Sequence, residues 1–186
     1  MHGTRWVAPQ HSNGKKFAVL SSSPLRFPMR APYEEMLAGV LTLRLPPGQR
    51  HELICTRLHA AIQASVANFP GTKLLGRRTE VRFSPSIALR PDLAIVTAAS
   101  GKLWLAAEVV DAEDHHADTV LKKQIYEDLK VARLWMVDPR YDNLEAYHAT
   151  EYGLKLIGIL AGRDVLSEKL LPEFQITVAE LFAPSP

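Results

Sequence analysis

Two acidic residues occupy positions where the local pattern calls for apolar side chains. Asp92 follows a proline at the start of the apolar run "LAIV", and Glu108 lies between "LWLAA" and "VV". A buried carboxylate is costly unless it is paired, hydrogen-bonded or bound to a metal ion. If adjacent strands bring Asp92 and Glu108 to one edge of a sheet, two hard oxygen ligands would suit Mg²⁺ or Mn²⁺. One metal site would then explain both acids.

A lysine on the helix that follows is a third candidate. With about 100° per residue, Leu121, Ile125 and Leu129 share one apolar face of this helix. Lys122 borders that face, and Lys123 points to solvent. A lysine beside two carboxylates could orient or activate a water for attack on phosphorus and stabilise the developing charge. Each residue taken alone also has an ordinary structural interpretation. Asp92 could be a turn residue, Glu108 could pair with an arginine, and Lys122 could be a surface lysine.

The elements that must position these residues alternate along the chain. Residues 1–31 show no sustained apolar period, so we expect an irregular extension there. Residues 32–186 are expected to form a single domain. Strands are predicted at 40–45, 72–83, 91–96, 103–110 and 133–138. Helices are predicted at 49–69 and from an N-cap at Asp118. A hairpin should follow the last of these strands, and a short helix is predicted at 177–182. This order predicts an α+β sandwich with a mixed sheet.

Composition limits the setting and suggests a partner. The only cysteine, Cys55, has no intrachain partner and reads as a packing residue, and no N-terminal apolar run has signal or membrane length, so we expect a cytoplasmic protein. Residues 1–90 carry a net charge of +9 and residues 91–186 carry −7. The basic half suggests a surface for a polyanion, although solvated charge on both halves explains the asymmetry equally well.

The order and spacing of these residues resemble a known family. Pro91-Asp92, Glu108, Asp118 with Lys122 and Tyr126, and then "ARLWMVDP" look like the Uma-two family of restriction-endonuclease-like proteins, in the PD-(D/E)XK nuclease fold group. The resemblance covers most of residues 32–182. It implies a mixed central sheet flanked by helices and a metal-dependent endonuclease that hydrolyses phosphodiester bonds, with DNA as the likeliest substrate class.

The resemblance also implies roles for particular residues. Asp92 and Glu108 would be metal ligands for Mg²⁺ or Mn²⁺, with the backbone carbonyl of Val109 as a third. The lysine of the fold group usually lies two residues after the second acid, where this chain has a valine, so its role passes to Lys122. His51 would support the site from the first helix. Glu52 is the alternative there, since first turns do not follow a helical wheel strictly.

One departure leaves other functions open. The segment 111–118, "DAEDHHAD", is acidic and should repel a nucleic-acid backbone unless a metal or the basic half offsets it. The alternative is therefore a catalytically weak or inactive nuclease-fold module that binds nucleic acid or a protein partner, and a purely structural dimer is a third hypothesis. A homodimer is compatible with each of these. His115-His116 would suit a transition metal, but adjacent histidines in a polar loop are more often solvated.

Overall fold

The computed structural model describes residues 31–110 and 116–184 of the 186-residue chain. The predicted irregular extension therefore lies outside the described residues except for its last position. Residues 111–115 of the acidic segment also lie outside them. The predicted division into an extension and a single domain stays a prediction.

The described residues form twelve strands, three α-helices and one π-helix. The strands are β1 (Tyr33–Leu37), β2 (Val40–Arg44), β3 (Thr72–Leu74), β4 (Val81–Ser84), β5 (Ile87–Leu89), β6 (Leu93–Thr97), β7 (Leu103–Val109), β8 (Arg133–Asp138), β9 (Asn143–Thr150), β10 (Gly153–Ala161), β11 (Val165–Glu168) and β12 (Leu171–Thr177). The helices are α1 (Gln49–Val66), the π-helix (Ala117–Lys122), α2 (Lys123–Asp128), which continues it, and α3 (Val178–Phe182).

A six-stranded mixed sheet is the centre of the fold. Its strand order is β10-β9-β8-β7-β6-β3, and β7 and β8 are parallel while the other pairs are antiparallel. The crossover from β7 to β8 contains the π-helix and α2. A four-stranded sheet of order β2-β1-β5-β4 and the pair β11-β12 complete the architecture. The predicted α+β class with a mixed central sheet is confirmed.

Strands at the centre of this sheet are buried on both faces. Because side chains alternate across a strand, Leu93 and Ile95 of β6 join a core with α1, α3 and β12, while Ala94 and Val96 join a second core with α2, β1 and β5. Continuous apolar runs such as "LAIV" follow from this double burial. A charged residue in such a strand has no solvent-facing side to occupy.

Several predicted elements have different bounds in the structure. Helix α1 ends at Val66, three residues earlier than predicted. The predicted strand 72–83 is two strands in different sheets, because the chain turns between Gly76 and Thr79, with Arg78 at a left-handed φ of 54°. Strands β1, β5, β11 and β12 are missing from the prediction.

Other predictions agree with the structure. The predicted hairpin after β8 is β9-β10, and the short C-terminal helix is α3. Helix α3 begins with a capping box, in which the Thr177 side chain accepts a hydrogen bond from the Glu180 amide and the Glu180 carboxylate binds the Thr177 amide. No helix among the described residues is long and apolar enough to cross a membrane.

Truncating the core of the central sheet should destabilise the whole fold. Leu105 of β7 is fully buried, so we expect Leu105→Ala to lower the free energy of unfolding by about 2–5 kcal/mol. Leu43→Ala is the matched control, because Leu43 of β2 is exposed and its truncation should change the value by less than about 0.5 kcal/mol. Urea unfolding measures both. Equal losses in the two variants would contradict this assignment of the core.

Candidate active site

Asp92 and Glu108 lie side by side at one end of the β6-β7 strand pair. Leu93 of β6 is opposite Ala107 of β7, so the next position in this register places Asp92 beside Glu108. Both side chains are buried, with Asp92 4% and Glu108 2% exposed. The structure brings the two acids together, while their role as metal ligands stays a prediction.

Three donors hold the Asp92 carboxylate. Its Oδ1 lies 2.9 Å from His51 Nε2 and 2.9 Å from Nη2 of Arg78, and its Oδ2 accepts a hydrogen bond of 2.9 Å from the Val109 amide. Burial alone would raise the pKa of Asp92, but His51 and Arg78 outweigh it and hold the pKa well below its usual value. Asp92 is therefore ionised at neutral pH.

Glu108 has different partners, and its pKa shifts in the opposite direction from that of Asp92. Its Oε1 accepts a hydrogen bond from the Tyr126 hydroxyl, and its Oε2 lies 2.7 Å from Lys122 Nζ. Burial raises the pKa of Glu108 to about 8, against the opposing charge of Lys122, and the carboxylates of Asp118 and Asp92 add to the rise. Burial therefore disfavours the charged form of Glu108, which the contact with Lys122 favours, whereas the neighbours of Asp92 hold it charged.

Lys122 is the centre of a buried ion cluster. Its Nζ lies 2.7 Å from Glu108, 3.0 Å from Glu35 Oε1 and 3.9 Å from Asp118 Oδ1. Arg44 also belongs to the cluster, donating to Asp118 at 2.7 Å and lying 3.9 Å from Glu35 Oε2. Burial would lower the pKa of Lys122, but the carboxylates of Glu108 and Glu35 outweigh it and raise the pKa, so the ammonium group stays protonated.

The helical-wheel prediction misplaces the buried face of this segment. Leu121, which the prediction places on that face, is 44% exposed, whereas Lys122 is 1% exposed. Residues Ala117–Lys122 form a π-helix, whose i→i+5 hydrogen bonds change the angle between successive side chains. Lys122 therefore lies at the centre of the buried face and not at its border.

Two further predictions for this segment are wrong. Lys123 does not point to solvent, because its Nζ donates to the Tyr147 hydroxyl at 2.8 Å and lies 4.0 Å from the centre of that ring. Asp118 is not the N-cap, since His116 precedes the helix and Asp118 lies buried in its first turn. There its carboxylate pairs with Arg44 at 2.7 Å.

Of the two candidates in the first turn of α1, His51 and Glu52, only His51 contacts the acid pair among the described residues. Both side chains are buried, but His51 binds Asp92 directly, whereas Glu52 accepts from Arg78 at 2.6 Å and from Arg77 at 3.2 Å. His51 therefore joins the acid pair, and Glu52 reaches it only through Arg78. The role of His51 in any reaction stays a prediction.

Sequence reasoning missed Glu35 and Arg44. They lie on the paired strands β1 and β2, and both are buried. The alternation in "VLTLRL" predicts buried leucines, but Leu41 and Leu43 are exposed while Arg44 is buried. The reversal follows from the ion cluster, because Arg44 must face Asp118. The sequence signal that could have revealed the buried Arg44 is an arginine that alternates with leucines in a short strand.

The donors at the acid pair fit a hard divalent cation. Asp92, Glu108 and the adjacent Val109 carbonyl all offer oxygen. A carboxylate oxygen can accept two hydrogen bonds, and among the described residues Asp92 Oδ2 and each Glu108 oxygen receive one donor. Each of these three oxygens keeps a lone pair for a cation. In contrast, Asp92 Oδ1 is filled by His51 and Arg78.

A second group of donors lies next to the first. His51, Cys55 and Asp92 have ligand atoms within 4.8 Å of one another, and the buried Nδ1 atom of His51 has no hydrogen-bond partner among the described residues. This mixed set would suit a softer metal such as Zn²⁺. However, burial raises the pKa of the Cys55 thiol well above its usual value, and the thiolate is the form that binds metal. The oxygen donors of the acid pair are therefore the better site.

The raised pKa of Glu108 predicts how stability depends on pH. In the unfolded chain Glu108 loses its proton near pH 4.5, whereas in the folded protein it keeps the proton until about pH 8. Its contribution is thus fully present below pH 4.5 and is lost as the pH rises through 8. Glutamine does not titrate, so Glu108→Gln is the reference. As the pH rises from 4.5 through 8, the free energy of unfolding of the wild type should fall by more than about 1.4 kcal/mol relative to this variant. Urea unfolding of both proteins at low, neutral and high pH measures it, and a constant difference would contradict the assignment.

Comparisons with known proteins agree with this geometry. The chain is similar in fold to a solved structure described as "a putative nuclease belonging to DUF820" from Anabaena variabilis, with a TM-score of 0.68 and 14% identity over 86% of this chain and 94% of that one. The central mixed sheet thus has the restriction-endonuclease-like fold. No curated protein matches the sequence. The family model Uma2, described as "Putative restriction endonuclease", matches residues 21–179, so the protein belongs to the Uma2 family.

Proposed function

We propose that the protein is a metal-dependent endonuclease that hydrolyses phosphodiester bonds in DNA. One observation carries the proposal: in a nuclease-type fold, two buried acids lie at adjacent positions on neighbouring strands, and a protonated lysine contacts one of them at 2.7 Å. Membership of the family and the similarity of fold support the coarser statement that the chain is a nuclease.

The acids would hold Mg²⁺ or Mn²⁺ together with the carbonyl of Val109. When bound, the ion supplies Lewis-acid chemistry, which polarises a phosphoryl oxygen and lowers the pKa of a water molecule. His51 orients Asp92 through its hydrogen bond of 2.9 Å. The Tyr126 hydroxyl does the same for Glu108 by donating to Oε1, which leaves the other lone pairs of both acids for the ion.

Lys122 acts as a cation in this proposal and not as a base. Neighbouring carboxylates raise its pKa against the effect of burial, so it has no lone pair to accept a proton from water. A protonated ammonium can donate hydrogen bonds to the attacking water and to a phosphoryl oxygen, and it stabilises the negative charge that grows in the transition state. Glu35 also holds the ammonium group, at 3.0 Å.

The choice of DNA as substrate depends on charge. The excess of basic residues in the first half of the chain supports a polyanion as partner. A homodimer, which would let two sites address two strands, and a cytoplasmic location remain predictions. The acidic residues at 111–115 lie outside the described residues, so their distance from the site does not enter the proposal.

A second function has a specific observation in its favour. Each oxygen of Asp92 and Glu108 already accepts a hydrogen bond or an ion pair from the protein itself. An acid pair neutralised internally would suit a module that binds nucleic acid or a protein partner without cleaving. Salt-dependent DNA binding in EDTA, without cleavage in Mg²⁺ or Mn²⁺, would favour that function over the nuclease.

Removing either member of the Glu108–Lys122 pair should abolish cleavage. We expect Glu108→Gln and Lys122→Met to reduce metal-dependent nicking of supercoiled DNA by at least about 100-fold, because the first removes a metal ligand and the second removes transition-state charge stabilisation. Nicking in Mg²⁺, Mn²⁺ and EDTA is measured on gels, with circular dichroism to verify folding.

Lys123→Met is the matched control for Lys122→Met. It removes the same charge from the next residue, which contacts Tyr147 and not the acid pair. Its nicking rate should stay within about threefold of the wild type, as for a group outside the chemistry. If Lys123→Met proved as damaging as Lys122→Met, the role assigned to Lys122 would be wrong. If well-folded wild type nicked DNA with neither ion, the nuclease proposal would fail.

A further inference from the structure

Arg78 is a buried cation on the carboxylate that a metal ion would share, that of Asp92. Its side chain is 5% exposed, and its Nη2 lies 2.9 Å from Asp92 Oδ1 and 3.9 Å from Cys55 Sγ. Its other terminal nitrogen, Nη1, donates to Glu52 Oε1 at 2.6 Å. The guanidinium group therefore bridges the carboxylates of Asp92 and Glu52.

The backbone aims this side chain into the site. Arg78 has a φ of 54°, a left-handed conformation that is uncommon for residues other than glycine. Its amide donates to the carbonyl of Pro91, the residue before Asp92, at 3.0 Å, and the turn around it closes through a hydrogen bond from Thr79 to Gly76 of 3.1 Å. The position of the guanidinium is thus built into the turn that separates β3 from β4.

A metal ion and this guanidinium would compete for the same carboxylate. Oδ1 of Asp92 already accepts from His51 and Arg78, which uses both of its lone pairs. A divalent cation on Asp92 would also place two positive centres close together in a buried environment, where repulsion is strong. If the guanidinium left Asp92, it would keep its bond to Glu52 and would not be left unpaired.

We propose that Arg78 is an internal counter-ion of Asp92 that sets the affinity of the acid pair for divalent metal. The Asp92–Arg78 contact holds the metal-free site together, and metal binding breaks it while Glu52 retains the guanidinium. This inference rests on the proposed metal-dependent function, because it assumes that Asp92 is a ligand.

Arg77 provides the control that the inference needs. It carries the same charge one residue earlier and also contacts Glu52, at 3.2 Å, but its other bond goes to Thr56 Oγ1 at 2.8 Å. Asp92 is not among the hydrogen-bond or ion-pair partners found for Arg77 within the described part of the chain. Removing Arg77 therefore changes the net charge equally and leaves the Asp92–Arg78 contact in place.

Mn²⁺ affinity, measured by calorimetry, tests the proposal. Arg78→Gln should bind Mn²⁺ at least about tenfold more tightly than the wild type, whereas Arg77→Gln should stay within about threefold, and Asp92→Asn should lose binding. Equal or weaker binding by Arg78→Gln would overturn the proposal. So would an equal gain in Arg77→Gln, which would indicate general electrostatics, or an absence of Mn²⁺ binding in all of these proteins.

A measurement on the wild type covers the case in which Arg78→Gln does not fold. The Nε–H resonance of Arg78 should shift when the protein is saturated with Mg²⁺ in an NMR titration, and that of Arg77 should not. An Arg78 resonance that stays unchanged at saturation would overturn the proposal. Neither experiment measures cleavage. Metal binding that depends on Arg78, in a protein that does not nick DNA, would therefore contradict the nuclease function and leave this inference standing.

Discussion

The fold depends on neutralising an ammonium group that has almost no access to water. Burying a lysine costs several kcal/mol unless close opposite charges repay it. The three carboxylates around Lys122 come from different parts of the fold: Glu35 from the four-stranded sheet, Glu108 from the central sheet and Asp118 from the π-helix. Because none of these elements can move without leaving a buried charge unpaired, the ion cluster determines how the two sheets meet.

Two adjacent carboxylates acquire opposite character from their surroundings. Asp92 accepts from His51, Arg78 and a backbone amide and is held ionised, whereas acidic neighbours add to the effect of burial at Glu108 and raise its pKa against the charge of Lys122. Burial acts on both acids in the same direction, so the difference comes from the neighbouring groups. A cation bound to both acids would favour the charged form of Glu108, which links its binding to pH.

The sequence predicts the strands with continuous or alternating apolar runs, and it predicts the acids that interrupt them. Asp92 and Glu108 are recognisable because charge is anomalous in a doubly buried strand. The orientation of Lys122 is not recoverable by a helical wheel, since nothing in "ADTVLK" signals a π-helix. The pattern does not identify Arg44, because its edge strand β2 exposes its leucines and buries the arginine, and it does not identify Glu35, because β1 is missing from the prediction. Partners that come from distant strands become visible only when the sheets are assembled.

The contacts of the site differ widely in sequence separation, and this has a consequence for the order of folding. Glu108 and Tyr126 are 18 residues apart, whereas His51 and Asp92 are 41 apart and Arg44 and Asp118 are 74 apart. Contacts between distant residues close larger loops and form later than local ones. The β7–α2–β8 unit can therefore assemble early with Glu108 beside Tyr126, but Asp92 gains His51 only when α1 docks. The acid pair thus has its complete set of partners only in the finished fold, and a partly folded chain lacks the contact between His51 and Asp92.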